Sequence, residues 1–97
     1  MTVLHVVPAA EWEAARAAGV YAPASLRDAG FIHFCEQHQL AGVVARFFAG
    51  RNDLVVLVVR VDLLRAELRR EPADGDVFPH LYGPLNLDAV VGYSTAP

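Results

Sequence analysis

The chain has no lysine and only one cysteine, one methionine and one tryptophan among its 97 residues. Its single cysteine, Cys35, excludes an internal disulfide and fits a reducing compartment. The eight bases are all arginine and are outnumbered by eleven acids, giving a formal net charge of −3. That balance lacks the electrostatic footprint of a nucleic-acid binder, and Arg69-Arg70, the densest basic spot, is too small to be a patch. Genomic base composition accounts for the missing lysine as readily as function does. Long apolar runs are missing too: the longest strongly apolar stretch, residues 54–59, falls far short of a bilayer span. The opening residues, MTVLHVVPAAEWEAA, lack a basic segment followed by a long apolar one, so no signal peptide is expected. Repeats, low-complexity tracts and linkers are absent. The expectation is one domain over residues 1–97, cytoplasmic, with neither a membrane nor a nucleic acid as partner.

What is present is apolar. The hydrophobic fraction is 55%, above the usual range of about 45–50%. This argues against disorder and leaves apolar surface for a groove or a partner. A chain of this size buries roughly 60–70% of its unfolded surface, enough for one modest core.

Residues 3–7 are β-rich and predict a strand ending at Pro8. Pro8 and Ala9 open a helix over residues 9–18, with Glu11 and Glu13 early, where the helix dipole favours acids. Trp12, Ala15 and Gly19 share a face, so Trp12 should face the core, and Gly19 is the natural stop. Residues 20–28 read as a loop and residues 29–34 as a short strand. Residues 36–49 give the clearest helix, with Leu40, Val43, Val44, Phe47 and Phe48 forming an apolar stripe that Gly50 closes. The continuous β-branched run at 54–59 predicts a central strand buried on both faces. Asp62 caps a helical turn at 63–67, and residues 68–72 form a strand. The segment PADGD, residues 72–76, is a turn. Residues 78–87 form a rigid turn around His80 and Tyr82, and residues 89–93 the last strand. Helices and strands mix without a βαβ rhythm. The expected class is α+β, with small mixed or antiparallel sheets and two main helices.

Several side chains suggest chemistry. His5 shares a strand face with Val3 and Val7, while Leu4 and Val6 point the other way. In that company a satisfied, half-buried imidazole and a ligand-contacting one are equally good readings. His33 and Cys35 alternate onto one face, with Phe34 opposite. Together with His38 they suggest metal ligands, but the spacing matches no standard zinc signature and no metal is expected. Cys35 beside an imidazole suits a nucleophile, although a small buried cysteine is the more frequent outcome. His38, in a first helical turn, reads as solvated. Glu71, near a strand end, either pairs with Arg69 or offers a carboxylate to a cleft. Pro79, Gly83 and Pro84 stiffen the chain about His80 and Tyr82, and a rigid turn holds side chains at low entropic cost. Alternatively, Tyr82 covers the core with its hydroxyl paired.

The segments HVVPAAEWEAARAAGVYAPASLRDAGFIHF, FFAGRNDLVVLVV and EPADGDVFPHLYGPLNLDAVV closely resemble a bacterial family known as domain of unknown function number 952. The similarity covers nearly the whole chain, in order. It implies a reduced ADP-ribosyltransferase-like α+β architecture. Transferases of that fold hold NAD in a cleft between two small sheets. A first-strand His or Arg contacts the cofactor's ribose, and a later Glu steadies an oxocarbenium-like ribose as nicotinamide departs. By this resemblance His5 matches the ribose-contacting position. His33 falls near a strand motif where many transferases carry a small hydroxyl residue. Glu71 is the late carboxylate, with Arg69 where an acidic or glutamine partner is usual. His80 and Tyr82 belong to the family's own signature. RNA 2′-phosphotransferases are similar only loosely, and bases to seat a phosphorylated RNA are sparse.

The resemblance therefore implies a small enzyme acting on NAD or a related nucleotide by glycosyl transfer or cleavage. His5, His33, Glu71 and His80 would line its cleft, with Ser25, Arg46 and Tyr82 as binding contributors. His5 and Tyr82 would position, Glu71 would stabilise charge, and His33 or His80 would move protons, since the ordinary imidazole pKa of about 6.5 suits neutral conditions. The alternatives are a non-catalytic binding module, an enzyme for another small metabolite, and an interaction protein with an exposed apolar patch. A small-molecule or nucleotide ligand is expected, in a monomer or a homodimer.

Overall fold

The apolar run at Leu54–Arg60 forms the middle strand of a three-stranded antiparallel sheet. Its side chains feed a core on each face: Leu57 and Val59 enter one, Leu54 and Val56 the other. A strand covered on both sides needs a run without polar alternation, which is what the sequence supplies.

The computed structural model describes residues 1–95. Along the chain the elements are β1 (Thr2–Pro8), α1 (Ala9–Ala18), β2 (Val20–Tyr21), α2 (Ala24–Ala29), β3 (Ile32–His33), α3 (Leu40–Phe47), β4 (Leu54–Arg60), β5 (Glu67–Ala73), β6 (Asp76–Tyr82), β7 (Leu85–Asn86) and β8 (Val90–Thr95). Short 3-10 turns occupy Gln37–Gln39, Val61–Leu63 and Leu87–Ala89. The strands form one sheet in the order β1-β4-β8, a second in the order β3-β6-β5, and a small β2-β7 pair, all antiparallel. The α+β class with antiparallel sheets stands. None of the described helices is long and apolar enough to cross a membrane.

The two larger sheets meet at a bridge between Leu4 and Cys35, whose two reciprocal backbone bonds are each 2.8 Å. Pro79 ends the β3–β6 ladder there. The Phe34 N–H donates to the Pro79 carbonyl at 2.9 Å, but proline has no N–H to return the bond. The β3–β6 ladder stops, and the next residue, Cys35, whose peptide group faces the opposite edge, pairs with β1.

Four local readings need correction. Residues 20–28 are not a loop: β2 and most of α2 lie there, and α2 runs between Pro23 and a left-handed Gly30 (φ 87°). The long helix begins as a 3-10 turn, with Gln39 and Glu36 bonded as a capping box, before α3 starts at Leu40. The helical turn placed at 63–67 lies at Val61–Leu63, and Glu67 already begins β5. The rigid turn at 78–87 is strand β6, the middle strand of its sheet, as far as Tyr82, and includes β7 further on. The turn at PADGD is confirmed and tight: Asp74 (φ 52°) and Gly75 (φ 79°) link the paired Ala73 and Asp76, as a type I′ hairpin requires. Gly83 serves close approach, since a Cβ there would lie 2.6 Å from the Ala66 Cβ. Trp12 is buried against the core, as its helix face predicts.

Candidate functional site

Residues directly opposite on paired strands project to the same side of a sheet. The registers His33–His80, Arg69–His80, Glu71–Phe78 and Glu67–Tyr82 therefore gather His33, His80, Glu71, Tyr82 and Arg69 on one face. The other face of that sheet sends Ile32, Leu81 and Leu68 into the core.

Glu71 is the hub of the polar face. Its Oε1 accepts from the Tyr82 hydroxyl at 2.5 Å and from His80 Nδ1–H at 2.9 Å. These two donors, Tyr82 first, hold the carboxyl below its ordinary pKa, and the same bond holds the Tyr82 hydroxyl above its own. Glu71 is thus ionised at neutral pH, with its side chain 31% exposed. The Arg69 guanidinium lies 4.4 Å from the Tyr82 ring centroid and pairs with Glu67 at 3.0 Å. Phe31 stacks on His80 with ring centroids 4.0 Å apart and planes 20° apart. His80 is only 4% exposed, and its Nε2 is buried with no protein partner among the described residues. Nδ1–H is committed to the carboxylate, so Nε2 is the one ring nitrogen left without a protein partner among the described residues. His33 meets His80 edge-on at 5.5 Å and is exposed. Partial burial and then repulsion from His80 lower its pKa, so it is a neutral base at neutral pH.

His5 does not join this cluster. It shares the core-facing side of β1 with Val3 and Val7 and is 8% exposed, and it is also one of the residues lining the cavity described below. Its Nδ1–H donates to the His33 carbonyl at 2.5 Å, and its Nε2 accepts from the Tyr21 hydroxyl at 2.9 Å. A carbonyl only accepts, which fixes the tautomer. Burial pushes its pKa down to about 4, so the ring is neutral. Its physical link to the polar face is the backbone of His33.

Under α3 lies a cavity of about 330 Å³ that the cluster reaches through His33; His5 and His33 line it, whereas Glu71, His80 and Tyr82, expected in the cleft with them, are not among its lining residues. Its walls are mainly apolar, with Val6, Phe34, Val43, Phe47, Phe48 and Phe78 prominent, while His33 and Asp74 are among its polar members. Val6 also lies on the edge of β1 away from β4. Leu4 turns its N–H and C=O away from β4 towards Cys35, and two residues on, Val6 must turn the same way. The Leu4–Cys35 bridge is isolated, so among the described residues no reciprocal pair forms at Val6, and an adjacent donor and acceptor are left on that edge beside the cavity. Burial raises the Cys35 thiol pKa to about 11, which keeps it protonated and removes the nucleophile reading. Arg46 lies in a neighbouring groove of about 390 Å³, paired with Asp74 at 3.5 Å. Ser25 sits half-buried on α2, outside the lining of either cavity. Among the described residues, no group of three or more His, Cys, Asp or Glu side chains is placed to hold a metal ion.

Sequence reasoning passed over Phe31, Val6 and Tyr21. Phe31 was accessible to it, since two-residue alternation puts it on the face of His33. Val6 and Tyr21 matter through backbone direction and a long-range bond, which composition does not signal.

The profile of the family described as "Protein of unknown function (DUF952)" matches residues 6–93. The chain belongs to this DUF952 family. It is similar to the crystal structure of protein CC0527 from Caulobacter crescentus, with 34% identity and a TM-score of 0.86 over 98% of this chain and 85% of that one. The solution NMR structure of CC0527 also aligns, with 34% identity and a TM-score of 0.81 over 97% of this chain and 83% of that one. No curated protein matches the chain. The DUF952 match takes in Val6, Phe31, His33, Glu71, His80 and Tyr82, so the polar face and the cavity's open peptide group fall inside it.

Proposed function

We propose that this DUF952 chain is a small ADP-ribosyltransferase-like enzyme that transfers or cleaves the glycosyl bond of NAD or a related nucleotide. The observation that carries the proposal is the setting of Glu71, a partly exposed carboxylate kept ionised by Tyr82 and His80 beside a largely apolar cavity. A fixed anion at such a place stabilises positive charge that develops during reaction. The division of the strands into two small antiparallel sheets that part beyond the Leu4–Cys35 bridge supports the scaffold resemblance.

NAD is the substrate in this scheme, and the cavity suits one end of it. Apolar and aromatic walls accept a flat ring, and the adjacent N–H and C=O of Val6 complement a primary carboxamide such as nicotinamide's. As the bond from ribose C1′ to the pyridinium nitrogen breaks, its electron pair passes to the ring and nicotinamide leaves neutral. Glu71 offsets the cationic ribose. Neutral His33 takes the proton of the attacking hydroxyl, from water for cleavage or from an acceptor for transfer. Arg69 shares that face and supplies positive charge for a phosphate. Sealed under Phe31, His80 orients Glu71 and does not touch substrate. The test is release of nicotinamide from NAD by pure protein, lost in Glu71→Gln.

One observation favours a second reading, a binding module without chemistry. Two of the four groups assigned to catalysis, His5 and His80, are less than a tenth exposed, at 8% and 4%. His33→Ala separates the two: the enzyme loses rate with ligand still bound, whereas the module loses affinity alone.

A further inference from the structure

We infer that His5, anchored by Tyr21, is a positioning residue that keeps the two sheets unpaired at Val6 and so holds the cavity open. The inference takes that cavity as the site proposed above, but its test uses no turnover, so either can fail without the other.

The Leu4–Cys35 bridge is a reciprocal pair, and in antiparallel geometry the next such pair in register is Val6 with His33. Both residues are oriented for it. Val6 turns its peptide group away from β4, and His33 turns its own away from β6, because Phe34 on one side of it bonds Pro79 and Cys35 beyond bonds Leu4. The pair nevertheless does not form. The His33 carbonyl accepts from the His5 ring instead. A side-chain donor from the preceding residue has taken the place of the Val6 N–H, and the Val6 peptide group stays free for a ligand.

The substitution works only while the Nδ1 of His5 carries the proton and the ring stays in place. Tyr21 secures both. Its hydroxyl, on β2, donates to Nε2 at 2.9 Å, which makes Nε2 the acceptor and Nδ1 the donor. The ring is also held between Tyr21 and Phe34, each with its centroid 5.2 Å away. This chain of bonds runs from the small β2–β7 pair through β1 to β3, so it ties all three sheets at the point where the two larger ones part.

Amide hydrogen exchange tests this directly, because the prediction has the opposite sign to ordinary damage. In the wild-type protein the Val6 amide should exchange at least about tenfold faster than those of Leu4 and Val7, which are bonded on either side. His5→Leu removes the donor, and the Val6 amide should then slow by at least about tenfold as it pairs with His33. His5→Asn, which keeps an N–H near the Nδ1 position, should leave Val6 fast. The ¹⁵N spectrum of the His5 ring should show the neutral Nδ1–H tautomer at neutral pH. Faster or unchanged Val6 exchange in His5→Leu would overturn the inference. If the variants fail to fold, a Val6 amide as protected as that of Leu4 in the wild type, or a His5 ring protonated on Nε2, overturns it equally.

Discussion

The Tyr82 hydroxyl lies 2.5 Å from Oε1 of Glu71, an oxygen that His80 also reaches from 2.9 Å. Two donors on one carboxylate oxygen fix its direction and favour its charge. Tyr82→Phe removes the larger contribution to the lowered pKa, so the Glu71 carboxyl should move back up towards the ordinary carboxylate value. A ¹³C titration of the Glu71 carboxyl reads this. A pKa unchanged by the substitution would mean that Tyr82 does not govern the charge of Glu71.

His5 sets a pH dependence of stability. Its pKa falls from an ordinary 6.5 to about 4 on folding, chiefly through burial. Between those values the unfolded chain binds a proton that the folded chain refuses, so stability rises with pH across that window and falls as acid is added. The size of the effect is about 3 kcal/mol between pH 6.5 and 4, from about 1.4 kcal/mol for each unit of pKa. His33, also lowered, adds to it with the same sign. Glu71 acts in a lower window: its contribution is present above the ordinary carboxylate pKa and is lost as pH falls through the lowered folded value. Urea denaturation at several pH values between 7 and 4 checks this, and the slope should flatten in His5→Asn. A wild-type stability that stays level from pH 6.5 to 5 would contradict a buried, neutral His5.

Gly83 and Ala66 touch so closely that a second methyl has no room, at 2.6 Å between Cβ positions. Neither side chain has a torsion that relieves the clash, so backbone must shift. Gly83→Ala should cost about 1–3 kcal/mol in urea denaturation. Adding Ala66→Gly to that variant should recover part of the loss. Equal stability of Gly83→Ala and wild type would show that the contact is slack.

The parts of this structure that were legible in sequence are those where one local pattern decides the outcome. The unbroken apolar run of β4 announced a strand with a core on each side, and the helix face of Trp12 announced its burial. Alternation correctly set His33 and Cys35 against Phe34, and Val3 and Val7 alongside His5. Alternation names a face, however, and not what covers it. The face of His5 is the core, and its ring is spent on Tyr21 and the His33 carbonyl. The segment around His80 was misread because proline inside a strand normally argues against one. Here Pro79 sits where the ladder to β3 ends, so its missing N–H costs only the one return bond to Phe34, while Cys35 beyond faces the other edge and pairs with β1. The convergence of Glu71 with His80 and Tyr82 was within reach. Counting outward from the two-residue turn Asp74–Gly75 pairs Glu71 with Phe78 and Arg69 with His80, once residues 76–82 are taken as a strand. The Leu4–Cys35 bridge and the open edge at Val6 were not legible, since they depend on how two sheets meet.

Nicotinamide release from NAD, measured with wild-type protein and with Glu71→Gln, tests the central claim most directly. The isosteric amide keeps the shape of the hub and removes its charge. The account predicts turnover in the wild type and a fall of at least about a hundredfold in the variant, the scale of losing one group that stabilises charge in a transition state. Wild-type protein that neither binds nor cleaves NAD or a related nucleotide, or a variant as active as the wild type, would contradict it.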